Sequence, residues 1–397
     1  MMLLLITIIL ATIVSSQVSS EYDNVKKLAS ANNEFAFKLH KLYNSHGNVF
    51  SSPASIFIAL GMLYEGARGI TAEEMRQTLS YNAAGLNDTN VKQHFQELLS
   101  LLGNASDKYK LDIANAIVSS ARSPILQGYK DALNKYYGAI LKELDFSTAN
   151  TKAVREINDW VRNKTRGKIS QLLKSLDAET ALVLLNAVYF KGTWKTRFSP
   201  ALTREDTFYN DGVDSVSVQM MASKNRFHYG EFKRYGVQAL KMPYKGEDVS
   251  MVVLLPFDAK RLSKVEQELT SSELNDIISS METETVFVNI PKFKLEDSKE
   301  LQKNLTSLGM ESAFTNGANL RGIAKEGNLK VSKIIHKAVV EVNEEGSEAA
   351  GATAILIIPY SSASITMKTF YVNHPFLFFI RDDRTGMILF YGRVNKL

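Results

Sequence analysis

Apolar residues fall at three-and-four spacing through much of the first half of the chain and in near-continuous runs through the second. Between Asp23 and Tyr43, the positions Val25, Leu28, Phe35, Phe37, Leu39 and Leu42 predict an amphipathic helix. Ser51-Ser52-Pro53 predicts the start of another, with Ser52 as its cap and Pro53 at its first position, where a missing N–H costs nothing. Thr71 to Leu79 and Val91 to Leu102 read as two more helices, separated by the Asn-, Gly- and Asp-rich loop Tyr81 to Asn90. Strand signals begin near Leu111. Ala181 to Phe190 (ALVLLNAVYF) and Val249 to Leu255 are runs expected of strands buried on both faces. Val286 to Ile290 and Lys337 to Val342 are shorter. Phe370 to Ile380 and Met387 to Val394 read as two buried strands around the polar turn Arg381 to Gly386. Helices early and strands late predict an α+β fold with large sheets.

The 397 residues include eight prolines and no low-complexity tract or repeat, which favours one large domain over several. Met1 to Val14 is a short uncharged apolar run followed by small residues. It reads as a signal peptide within residues 1–20, cleaved after Ser16 or Ser20, leaving 21–397 as the folded domain of a secreted, extracellular protein. No other run is long enough to span a membrane. The chain has no cysteine, which removes thiol catalysis and Cys-based metal sites, and a core this large does not need disulfides. Four Asn-x-Ser/Thr sequons, at Asn87, Asn104, Asn163 and Asn304, are candidate glycan sites in an exported chain. A net charge of +5 is weak for nucleic acid. The densest basic stretch, Lys152 to Lys168, is interrupted by Glu156 and Asp159, so it reads as a solvated helix face and gives glycosaminoglycan binding only weak support.

The six histidines form no metal-spaced pair. There is no Gly-x-Ser-x-Gly elbow, no phosphate loop and no dinucleotide fingerprint. The residues therefore predict neither an enzyme nor a cofactor or metal site.

One segment resists a place in a compact core. Glu344 to Ser361 reads EEGSEAAGATAILIIPYS. It starts acidic, becomes a run of small side chains, turns aliphatic and ends at Pro-Tyr-Ser. No Pro precedes Pro359, so nothing bars its entry into the middle of a sheet. With period two, one face carries Ser347, Ala349, Gly351, Thr353, Ile355 and Ile357, all uncharged. The other holds Glu348, Ala350, Ala352, Ala354, Leu356 and Ile358. That is the composition of a strand exposed in one state and inserted in another.

Glu344-Glu345-Gly346-Ser347-Glu348-Ala349-Ala350-Gly351-Ala352, continuing to Thr353, resembles the hinge of an inhibitory serpin's reactive-centre loop. Asn48 to Ile56 is similar to the serpin segment that opens the shutter helix. Asn186 to Trp194 resembles the family's central strand and breach, and Ile157 to Ile169 the helix crossing that sheet. His336-Lys337-Ala338 is similar to the strand leading into the hinge, and Phe370 to Phe378 to the closing signature. The likeness runs in family order from about Ala29 to the end. The Tyr-type loop and lack of cysteine resemble arthropod serpins, tick salivary ones among them.

The resemblance implies a serpin fold: helices around three β-sheets, a large central sheet and an exposed loop at about 344–368. It implies a monomeric protease inhibitor whose loop is attacked as substrate, inserts as a new central strand and traps the acyl-enzyme; loop insertion is itself one of the known modes of strand addition. Counting sixteen residues from Glu344, as the family's loops do, gives Tyr360, with Ser361 after the scissile bond. A Tyr there implies chymotrypsin-like targets of the chymase or cathepsin G type. The resemblance also places Ser52, Ser55, Asn186 and His336 in a polar shutter cluster, with Trp194 at the breach. The alternative is a non-inhibitory serpin acting as a carrier, which a charge or Pro on the inward hinge face would favour; none is present.

Overall fold

A computed structural model describes residues 23–44, 46–87, 90–103, 109–325, 329–346 and 367–397. Residues 1–22, which hold the signal-peptide expectation, and the sequon at Asn104 lie outside the described residues, as do Ser347 to Thr353 and the Tyr360–Ser361 bond.

The chain begins with helix α1 (23–40). Strand β1 (Val49–Ser51) leads into α2 (Pro53–Gly66), followed by α3 (Gly69–Thr78) and α4 (Val91–Gly103). Ser52 caps α2 by accepting from the backbone N–H of Ser55, with Pro53 in the first turn. Every residue of α2 except Glu65 is buried, because it runs through the core that the two sheets share. Then come β2 (Tyr109–Ser120), α5 (Gln127–Ala132), β3 (Ile140–Leu144), α6 (Asn150–Lys164) and β4 (Leu182–Gly192). The second half adds β5 (Arg204–Asn210), β6 (Asp214–Phe232), β7 (Val237–Pro243), β8 (Val249–Pro256), α7 (Leu262–Glu268), α8 (Ser271–Ser279), β9 (Glu282–Pro291), β10 (Phe293–Glu300), α9 (Gln302–Ser307) and β11 (Val331–Val342). After residues 347–366 come β12 (Lys368–Tyr371), β13 (Phe376–Asp382) and β14 (Ile388–Val394).

The strands form two ladders. The central sheet has the order β10-β11-β4-β2-β3. The other has the order β1-β14-β13-β8-β7-β6-β9-β12, with β5 paired to β6. The expected second and third sheets appear as one ladder because β6, 19 residues long, runs through both and joins them. Helix α6 lays Ala153, Ile157 and Val161 across β2 and β4 on the outer face of the central sheet. Its basic stretch is largely a solvated face, with Arg162 paired to Asp159 and Arg166 to Asp112.

Two sequence expectations change. Phe370 to Ile380 is not one strand: it divides into β12 and β13 around Asn373-His374-Pro375. Pro375 has no N–H to give a ladder, and the two halves pair with different neighbours, β12 with β9 and β13 with β8 and β14. Strands β5 and the upper part of β6 were missed because exposed polar residues dominate them, which hides the apolar signal.

Candidate functional site: the seam of the central sheet

Strands β4 and β11 lie side by side and parallel at the middle of the central sheet, from Val331 opposite Leu182 to Val339 opposite Tyr189. Parallel pairing is slightly weaker per residue than antiparallel. The pairing stops at Val339, although β11 continues to Val342 and β4 to Gly192. Each continues to bond its outer neighbour there, β10 and β2. The seam is thus zipped in its middle, and the β4–β11 register ends at Val339.

A polar cluster sits under the zipped part. Asn115 of β2, Asn186 of β4 and His336 of β11 stand in one row across three strands. Asn186 donates from Nδ2 to Ser55 Oγ and to Asn115 Oδ1, and its Oδ1 meets His336 Nδ1. His336 Nε2 accepts from the Ser52 backbone N–H at 3.0 Å, so the neutral ring carries its proton on Nδ1 and donates it to Asn186. Ser52 Oγ donates to the Leu389 carbonyl at 2.7 Å. The cluster ties β2, β4 and β11 to α2 and β14. His336 is fully buried, and burial drives its pKa down to about 3, with the charge of Lys299 adding to the effect. The structure brings Ser52, Ser55, Asn186 and His336 together. Asn115 was missed; its one signal is that, like Asn186, it is the lone amide inside an apolar strand.

The end beyond Val339 is closed differently. Trp194 lies just beyond β4, far along the strand from the polar cluster. Its Nε1 donates to the Asn343 carbonyl at 2.9 Å and its backbone N–H to the Glu345 carbonyl at 2.7 Å. Phe198 N–H reaches the Glu344 carbonyl at 2.9 Å. Tyr244 stacks on the Trp194 ring with centroids 4.4 Å apart. The Glu344 carboxylate accepts from Thr203 Oγ1 at 2.8 Å and pairs with Lys292 at 3.0 Å. Burial pushes its pKa up, but a backbone N–H, Lys292 and Thr203 outweigh that and hold it below the usual range. Gly346 has φ +123°, and a Cβ there would lie 2.0 Å from the Gly192 carbonyl oxygen, so only glycine fits. Glu344, Glu345 and Gly346 are therefore a tied turn, and the chain leaves the described fold at the end of the seam beyond Val339.

A family model described as "Serpin (serine protease inhibitor)" matches residues 30–397. The chain belongs to the serpin family. It is 43% identical over 375 residues to Intracellular coagulation inhibitor 1 of Tachypleus tridentatus, covering 94% of this chain and 89% of that one. It is 41% identical to Iripin-2 of Ixodes ricinus, with 94% of both chains covered. Serpin B4 of Homo sapiens is 38% identical, with 94% of this chain and 100% of that one covered. Among solved structures, Serpin48 of Tenebrio molitor superposes with a TM-score of 0.83 at 33% identity, covering 94% of this chain and 98% of that one. Human thyroxine-binding globulin gives 0.86 at 27%, covering 94% and 99%. The serpin fold is thereby shown, and serpins of this kind act on serine proteases as inhibitors rather than as catalysts.

Of the remaining expected positions, the sequon residues Asn87 and Asn163 are exposed and Asn304 is half-buried. Among the described residues no group of three or more His, Cys, Asp or Glu is placed to hold a metal. No helix there is long and apolar enough to cross a membrane.

Proposed function

We propose that this serpin is a secreted, monomeric inhibitor that traps chymotrypsin-like serine proteases after attack on the Tyr360–Ser361 bond. The observation that carries the reading is the seam. β4 and β11 are parallel neighbours, and β11 leads directly into the segment from Ser347. A chain that turns back at Gly346 runs antiparallel to both strands and completes their unmade pairing. The stretch beyond Val339, where the β4–β11 register ends, is where it enters. The uncharged face of Ser347, Ala349, Gly351, Thr353, Ile355 and Ile357 then meets the core. Insertion forms roughly a dozen backbone hydrogen bonds, each worth about 0.5–1.5 kcal/mol net. Tyr360 suits a deep apolar specificity pocket rather than an acidic one.

In this reading Ser52, Ser55, Asn115, Asn186 and His336 hold the seam shut and Trp194, Glu344 and Gly346 guard its entrance. The test is incubation with a protease panel followed by denaturing electrophoresis. A stable complex with chymotrypsin-like enzymes and little with trypsin is the expected result. Cleavage without a covalent complex sinks the inhibitory reading and favours the carrier alternative; preferential trapping of trypsin sinks Tyr360. Expression in a eukaryotic secretory host tests export and the glycans at Asn87, Asn104, Asn163 and Asn304. The medium should yield a chain starting at residue 17 or 21 that loses mass on glycosidase treatment.

A further inference from the structure

The segment that holds the proposed bond returns to the fold at β12, the edge strand of the larger sheet. Tyr360 lies eight residues before Lys368, so it is at most about 28 Å from that edge even fully extended. A protease engaged at Tyr360 is therefore held within reach of the outer face of β12, β9 and β6. That face is legible residue by residue. Lys224, Arg226 and His228 alternate outward on β6, while Phe227 and Tyr229, beside His228, are buried. Lys224 is in register with Phe287 of β9, which is in register with Thr369 of β12. Arg226 stands opposite Thr285 and His228 opposite Thr283. Two strand spacings put Lys224 about 10 Å from Thr369, with Arg226 one side-chain repeat further along β6.

The row is unneutralised. Lys224 and Arg226 form no ion pair among the described residues, in contrast to Arg162 on α6 and Arg166 just after it. Of the nearby acids, Glu231 is engaged with Tyr229 and Lys368 and Asp206 with the Tyr371 hydroxyl, while Glu284 and Glu282 of β9 stand opposite the buried Phe227 and Tyr229, on the other side of the pleat from Arg226 and His228. The outward partners on β9 and β12 in those rows carry no charge.

We propose that Lys224 and Arg226 form a secondary contact for the target protease, selecting enzymes with an acidic surface beside the cleft. This rests on the inhibitory reading above and narrows its partner. Two uncompensated cations near the encounter site act mainly on the association rate and are screened by salt.

The test uses the full-length protein and the anionic and cationic isoforms of one chymotrypsin-like protease. With wild type, the anionic isoform should associate faster, and its advantage should vanish by about 0.5 M salt, where screening is nearly complete at contact range. Lys224→Glu with Arg226→Glu should slow the anionic isoform roughly tenfold at low salt, leave the stoichiometry of trapping unchanged and leave the melting temperature unchanged. Equal slowing of both isoforms, or slowing that ignores salt, overturns the proposal. Binding of the same isoforms with the catalytic serine replaced by alanine reads the encounter alone. An encounter that survives while trapping fails condemns the inhibitory mechanism and leaves the contact standing. An encounter indifferent to the two charges condemns the contact.

Discussion

The middle and the entrance of the β4–β11 seam are closed by opposite chemistry. At Asn186 and His336 the closure is buried, neutral and made of side chains that span three strands. At Trp194 and Glu344 it is made of main-chain bonds, a stacked aromatic pair and an ion pair whose Lys292 is partly exposed. A buried network fails all at once, because removing one member leaves several buried groups without partners. A rim lock can open bond by bond as water replaces each contact. An incoming strand therefore has a graded entrance and a cooperative middle.

The largest expected effect removes the comparison altogether. Cleavage at Tyr360–Ser361 should raise the unfolding temperature by tens of degrees, since a strand between β4 and β11 adds stability comparable to a typical net value of roughly 5–15 kcal/mol. Thermal melts before and after limited digestion, with the cut confirmed by mass spectrometry, check this. A cleaved form that melts no higher than the intact one means that the loop does not insert.

Asn186→Ala should come next, at about 2–4 kcal/mol, because it leaves Asn115, Ser55 and His336 without their shared partner. Urea unfolding measures it. A loss below 1 kcal/mol would show that the middle of the seam is not cooperative.

Glu344→Lys should cost less, about 1–2 kcal/mol, by setting two cations together at the half-exposed rim. Its sharper signature is kinetic. Spontaneous insertion or self-association on mild warming should accelerate more in Glu344→Lys than in Asn186→Ala, relative to each variant's stability. The reverse order would place the entrance elsewhere.

The smallest effect separates the middle from the entrance by pH. His336 has a folded pKa of about 3 against an ordinary 6.5, so the unfolded chain binds the extra proton as pH falls below 6.5. Its share of stability is full above that value and declines steadily toward pH 3, a loss of about 1 kcal/mol between pH 7 and 5.5. Glu344 is held below the usual carboxyl range, so its share is also lost on acidification, but only once pH falls through 4.5. Melts of wild type and His336→Gln from pH 7 to 5.5 should differ in slope, whereas Glu344→Gln should leave that slope unchanged.

Much of this was legible in the chain. Buried strands such as ALVLLNAVYF announce themselves because both faces are apolar, and Ser52-Pro53 marks the start of α2 through its own cap chemistry. Four members of the polar cluster were readable through family resemblance. Asn115 was not, since nothing in its local pattern says that its strand lies beside Asn186.

By itself the sequence determined which segments bury both faces, which one carries an uncharged small-residue face ending at Pro-Tyr-Ser, and where chains must turn. Those properties depend on neighbours a few residues away. Only the tertiary structure decided that β4 and β11 meet in parallel and part after Val339, that β6 fuses two layers and that β12 breaks from β13 at Pro375. The pairing joins His336 to Asn186 across 150 residues of chain. Strand partners at that separation are fixed by how the whole set of apolar faces packs, a quantity that no local window contains.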